Sequence, residues 1–164
     1  MKCKLVKLLN FSGEKASIYA IILNDDNQTL FDKFVNENKN LFLSEINDII
    51  IRLQTIGHKT GARENFFKIH EGSPGDGVCA LYDSPNKKLR LYCIRYANQI
   101  VIVGSGGPKN VRALQEDKNL KKENYFLRWL SKQITERLKD GEIEYINADL
   151  DFSGDLNFQE DEEE

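Results

Sequence analysis

SPNKKLRLYCIRYANQIVIVGSGGPKNVRALQ, Ser84–Gln115, contains two runs of apolar, β-branched and aromatic residues. Leu89–Tyr96 and Gln99–Val103 are joined by Ala97-Asn98, a spacing that predicts a tight β-hairpin, and Gly104–Pro108 then closes the sheet. The segment also holds six cations (Lys87, Lys88, Arg90, Arg95, Lys109, Arg112) and no carboxylate. Strand alternation puts Leu89, Leu91, Cys93 and Arg95 on one face and Arg90, Tyr92, Ile94 and Tyr96 on the other. The first face is mostly apolar and is expected to look into the core. The second is then expected to present Arg90, Tyr92 and Tyr96 together. A guanidinium matches phosphate oxygens bidentately and an aromatic ring stacks on an unpaired base, so such a face suits a polyanion.

On the N-terminal side, Lys2–Leu9 and Ser17–Leu23 read as strands separated by a Ser12-Gly13 turn. Leu30, Phe31, Phe34 and Val35 shift to a helical period, which Asn38–Asn40 breaks. Ser44 is a suitable N-cap for a second helix, whose stripe is Ile46, Ile49, Ile50, Leu53 and Ile56 and whose stop is Gly57. The two helices are expected to form a hairpin. Phe66–His70 and Val78–Tyr82 are short strands with the turn-forming Gly72–Gly77 between them, and Asp83–Asn86 is a further turn. On the C-terminal side, Lys122–Lys139 is a helix with Tyr125, Phe126, Trp129, Leu130, Ile134 and Leu138 on one side, Gly141 stops it, and Ile143–Ile146 can add a strand.

The chain has 164 residues, 40% of them hydrophobic, which suits one domain with a real core. No apolar run reaches the roughly 18–20 residues a membrane span requires, and the lysine-bearing start shows no signal-peptide cleavage site, so a cytoplasmic location is expected. Eight of the 26 acidic residues fall between Asp149 and Glu164, where there is no base. The other 18 stand against 23 basic residues, so residues 1–148 carry a formal charge of +5. Residues 1–148 are therefore read as a single domain and 149–164 as an acidic, flexible tail. Cys3, Cys79 and Cys93 have no metal-ligand spacing and read as buried thiols.

Gly104-Ser105-Gly106-Gly107-Pro108-Lys109 is not a phosphate-binding loop, because its lysine follows proline and precedes Asn110. Of the two histidines, His70 can serve as a general base, and His58, beyond Gly57, suits a helix C-terminus. No zinc ligand set and no Ser-His-Asp or Cys-His arrangement is legible, and no cofactor is implied.

The succession of a helical hairpin, Gly77-Val78-Cys79-Ala80-Leu81-Tyr82, Leu89-Arg90-Leu91-Tyr92, Ile100-Val101-Ile102-Val103 and a following lysine resembles the RelE/ParE/HigB-type toxins of bacterial toxin–antitoxin pairs. The resemblance covers roughly residues 29–138. It implies an α+β fold, a helical hairpin packed on a small antiparallel sheet as in microbial ribonucleases, with a C-terminal helix and the acidic tail added. It further implies a toxin-like endoribonuclease that cuts messenger RNA on the ribosome without metal, and a cognate antitoxin partner. Arg90 matches the central-strand arginine of these proteins and Lys109 the lysine after the last long strand. Two positions depart from the pattern: Asp83 stands where an arginine often closes the preceding strand, and Gly107-Pro108 replaces a phenylalanine.

RNA supplies its own nucleophile, the 2′-hydroxyl. Cleavage then requires a proton acceptor, charge neutralisation at the phosphorane and a proton donor. Arg90 and Lys109 are assigned to the phosphate charge and Tyr92 or His70 to proton transfer, while Lys87, Lys88, Tyr96 and Arg112 are assigned to RNA binding. The alternative is a non-catalytic binding module on the same fold, in the manner of the gyrase-inhibiting ParE-like members. A structural protein that shares only the fold is a third reading.

Overall fold

The computed structural model describes residues 1–68, 75–81, 87–109 and 114–160. In chain order the elements are β1 (Lys2–Lys7), β2 (Ser17–Leu23), α1 (Leu30–Asn38), α2 (Leu43–Thr55), a π-helical turn (Ile56–Thr60), a 3-10 turn (Glu64–Phe66), β3 (Phe67–Lys68), β4 (Val78–Leu81), β5 (Leu89–Tyr96), β6 (Ile100–Pro108), α3 (Leu114–Asp140), β7 (Ile143–Ile146), β8 (Asp151–Gly154) and β9 (Asn157–Gln159). Seven strands form one sheet in the order β3-β4-β5-β6-β2-β1-β9, and β7 and β8 form a separate hairpin. Every neighbouring pair in the large sheet is antiparallel except β2 and β6, which are parallel.

This mixed seven-stranded sheet replaces the expected helical hairpin on a small antiparallel sheet. The parallel β2–β6 pair and the β1–β9 pair join segments far apart in sequence, which local periodicity does not report. The helices also lie on both faces. Phe31, Phe34, Ile46, Ile49 and Leu53 from α1 and α2 pack on one side with Ile18, Leu91, Cys93, Val101 and Val103. Leu127, Leu130 and Ile134 from α3 pack on the other with Tyr19, Tyr92, Ile94, Ile100 and Ile102. The Arg90–Tyr92–Ile94–Tyr96 face of β5, expected to be open, is therefore covered by α3, and Tyr92 is only 4% exposed.

Local chemistry explains several boundaries. Thr29 caps α1 through a reciprocal box: its hydroxyl accepts from the Asp32 N–H (3.0 Å) and the Asp32 carboxylate accepts from the Thr29 N–H (3.1 Å). Phe42, not Ser44, is the N-cap residue of α2, and it makes no side-chain capping bond. The glycine run lies inside β6, where the pairing with β5 shifts between Leu91 and Cys93. Gly104, on the same face of β6 as Ile100 and Ile102, lies under Leu127, where even a methyl would stand only 3.0 Å from a Leu127 Cδ.

Residues 151–159, read from the sequence as part of a flexible tail, form β8 and β9. Phe158 is buried, and the Arg137 guanidinium of α3 lies 4.1 Å from its ring centroid. Asp151 receives the Lys7 ammonium at 2.8 Å, the Asn147 amide at 2.8 Å and the Ser17 hydroxyl at 3.2 Å, which ties the β7–β8 hairpin to the sheet. Among the described residues no helix is long and apolar enough to cross a membrane.

Candidate functional site

The Glu45 carboxylate of α2 accepts the backbone N–H groups of Lys88 (2.7 Å) and Leu89 (3.0 Å), which pins the start of β5. The Lys109 N–H donates to the Lys88 carbonyl at 2.6 Å, extending the ladder in which Arg90 lies opposite Gly107. Residues directly opposite in an antiparallel ladder share a face, so this register places Lys88, Arg90 and Lys109 on the α3 side of the sheet. The first half of α3 runs over this end of the sheet.

A cleft of about 320 Å³ opens between β5 and α3. Arg90 and Tyr92 line it from the strand, and Leu120, Lys121, Asn124, Tyr125 and Arg128 line it from the helix. The helical residues recur at three- and four-residue spacing, so they form one flank of α3 while Leu127, Leu130 and Ile134 turn to the core. Tyr125 is 60% exposed, with the Arg128 guanidinium 5.4 Å from its ring centroid. Arg128 also approaches the Asp76 carboxylate at 3.9 Å. An exposed ring beside a guanidinium offers a base-stacking surface next to phosphate-binding charge.

The residues proposed from sequence are divided by the fold. Arg90, Tyr92 and Lys109 stay at this end of the sheet, with Tyr92 forming part of the cleft floor. Lys88 is exposed beside them. Lys87 lies with Leu89 and Leu91 beside α2, on the opposite side of the sheet from Arg90, and its ammonium sits 3.1 Å from the Asp48 carboxylate. Tyr96 packs edge-on to Phe152 at 5.3 Å, and burial raises its hydroxyl pKa, so it makes core contacts rather than a stacking platform. His70 and Arg112 lie outside the described residues. His58 is at the far end of α2, its ring Nε2 3.3 Å from the Asn10 carbonyl.

Sequence reading missed Lys121, Asn124 and Arg128, and it placed Tyr125 with the apolar side of its helix. The signal was present: Lys121, Asn124, Tyr125 and Arg128 recur at helical spacing and define a second face offset from the apolar stripe. A second cleft, of about 490 Å³, lies on the other flank of α3, and Leu120 lines both. Its walls carry Glu37 and Glu123. Burial raises the Glu123 carboxyl above the usual carboxylate range, the Lys122 ammonium partly opposes this, and the Glu37 charge adds to it. Among the described residues no group of three or more His, Cys, Asp and Glu is arranged to hold a metal ion. Comparisons with known protein families, with characterised proteins and with solved structures give no match.

Proposed function

We propose that this protein binds single-stranded RNA in the cleft between β5 and α3 and cleaves it as a toxin-like endoribonuclease. The observation that carries the reading is that Arg90, Lys121 and Arg128 line one cleft together with the exposed Tyr125, whose ring Arg128 approaches. Three cations along one cleft match the repeating charge of a polynucleotide, and the ring accepts an unstacked base of any sequence. The 2′-hydroxyl attacks the adjacent phosphorus and loses its proton. The 5′-oxygen leaves and gains one, giving a 2′,3′-cyclic phosphate and a 5′-hydroxyl. Arg90, aided by Lys109, neutralises the added charge of the phosphorane, and Tyr92 at the cleft floor is the side chain assigned to proton exchange. On this reading ribosome-bound messenger RNA is the substrate, and a small antitoxin protein covers the cationic face.

The low exposure of Tyr92 (4%) favours a second reading, in which the cleft grips a nucleic acid or another anionic partner without cutting. Inducible expression in a bacterial host separates the two, with growth and RNA 5′ ends followed for wild type, Arg90→Ala and Arg128→Ala. Growth arrest with new 5′-hydroxyl ends that disappear in Arg90→Ala supports cleavage. Arrest with intact messenger RNA selects the binding module. Undiminished cleavage by Arg90→Ala defeats the assignment.

A further inference from the structure

The second cleft sits where the topology predicts a ligand site. The parallel neighbours β2 and β6 are followed by helices on opposite faces of the sheet: α1 after β2, α3 after β6. When adjacent parallel strands do this, a crevice opens beyond their carboxyl ends. Here the register between them runs only from Ser17–Ile100 to Tyr19–Ile102, whereas β6 continues to Pro108. Among the described residues, no strand is in register with Ser105–Pro108 on the side away from β5. The crevice is walled by α1, this end of β6 and α3.

Its chemistry is two-sided. Leu30, Leu120 and Pro108 supply apolar surface, and Gly107 leaves open space, with no heavy atom within 4 Å of where a β-carbon would stand. Glu37 and Glu123 supply carboxylates. Lys33 is already held by Asp26 in an ion pair, and the Lys122 charge acts on Glu123. Such a crevice suits a flat ligand with an apolar face and adjacent hydrogen-bond donors on its edge. Guanine is the RNA base that meets this description. Its N1–H and N2–H lie side by side and match the two oxygens of one carboxylate. Adenine and cytosine place an acceptor beside their exocyclic donor, and uracil flanks its N–H with two carbonyls, so a carboxylate repels part of each edge.

We propose that this crevice receives an unstacked guanine from RNA bound in the neighbouring cationic cleft, with Glu123 accepting its Watson–Crick edge. The inference rests on the RNA reading above and adds a base preference to it. Leu120 lines both clefts, so a strand gripped by Arg90 and Arg128 passes next to the crevice.

The test uses the full chain and fluorescence anisotropy with short labelled single-stranded RNAs. One carries a single guanosine, one has inosine in its place and one has neither. The wild type is expected to bind the guanosine RNA roughly ten-fold more tightly than the other two, within the range of one bidentate base contact. Glu123→Gln is expected to bring the guanosine-to-inosine ratio towards one, and Arg90→Ala to weaken binding to all three RNAs while the ratio survives. A thermal melt accompanies each variant, and Glu37→Gln provides a second probe if Glu123→Gln misfolds. Equal affinity of the wild type for the three RNAs overturns the guanine site and leaves RNA binding standing. A ratio that persists in Glu123→Gln overturns the assignment of that carboxylate. No binding to any of the RNAs overturns both readings.

Discussion

Gly106 and Gly107 are neighbours in β6, yet the structure predicts opposite outcomes when each becomes alanine. A β-carbon at 106 would stand 1.8 Å from the Arg90 carbonyl oxygen and 3.0 Å from the Leu91 Cα. Both are backbone atoms of the paired strand and cannot swing aside, so β5 and β6 must separate locally. Overpacking costs about 1–3 kcal/mol and two disrupted ladder bonds about 1 kcal/mol each, so Gly106→Ala is expected to lose about 3–5 kcal/mol and to melt roughly 10 °C below wild type. At 107 there is no heavy atom within 4 Å of the new methyl, and the residue needs no left-handed backbone. Alanine there restricts the unfolded chain and is expected to stabilise by about 0.5 kcal/mol. Thermal and urea unfolding of the two variants beside wild type is the assay. Because Arg90 is carried by the displaced strand, Gly106→Ala should also weaken RNA binding. Equal melting temperatures for the two variants would refute the close β5–β6 approach on which the placement of Arg90 depends.

Three further outcomes are expected. Tyr125→Ala should reduce affinity for single-stranded RNA by about 1–3 kcal/mol, the worth of one base–aromatic stack, with no change in melting temperature, since this side chain is 60% exposed; unchanged affinity argues against the stacking role. At Asp151, burial alone would raise the carboxyl pKa, but the Lys7, Asn147 and Ser17 contacts outweigh it and hold it below the usual range. The stability this carboxylate contributes is therefore present above the unfolded-state pKa of about 3.9 and is lost as pH falls through the lower folded value. Asp151→Asn should melt below wild type at neutral pH, and the gap should close in acid; a gap independent of pH removes the ionic account. The guanosine-to-inosine ratio should fall on acidification, because only ionised Glu123 accepts both donors. Glu123 faces Lys122 on its own helix and Lys33 and Glu37 on α1, and its raised pKa means the fall begins above the pH at which an ordinary glutamate, near 4.3, protonates. A ratio constant with pH counts against Glu123 as the reader.

The site itself was half legible in the chain. Arg90 and Lys109 stand out as cations on a strand and just past its partner, and antiparallel pairing keeps them at one end of the sheet. The helical half of the cleft was obscured because Tyr125 neighbours Phe126 and Trp129 in a helix read as having one apolar side. An aromatic residue on such a helix looks the same in sequence whether it turns inward or outward. Lys87 and Tyr96 show the converse: a run of like charge and a tyrosine on the cationic face both suggested a partner, yet Lys87 meets Asp48 and Tyr96 meets Phe152.

What the sequence determined alone was local. The span of β2, of β5 and of β7 and the apolar stripe of α2 follow from side-chain period, which acts over a few residues, whereas the turn after β5 is one residue longer than Ala97-Asn98, with Gln99 inside it and Tyr96 paired to Ile100. What only the tertiary structure decided was which distant segments share an edge or a face. Parallel pairing of β2 with β6, capture of the acidic C-terminal segment as β9 against β1, and the laying of α3 over the Arg90 face all close long loops. Their free energy comes from burying one apolar surface against another, and a period in the chain shows that a surface is apolar without showing what covers it.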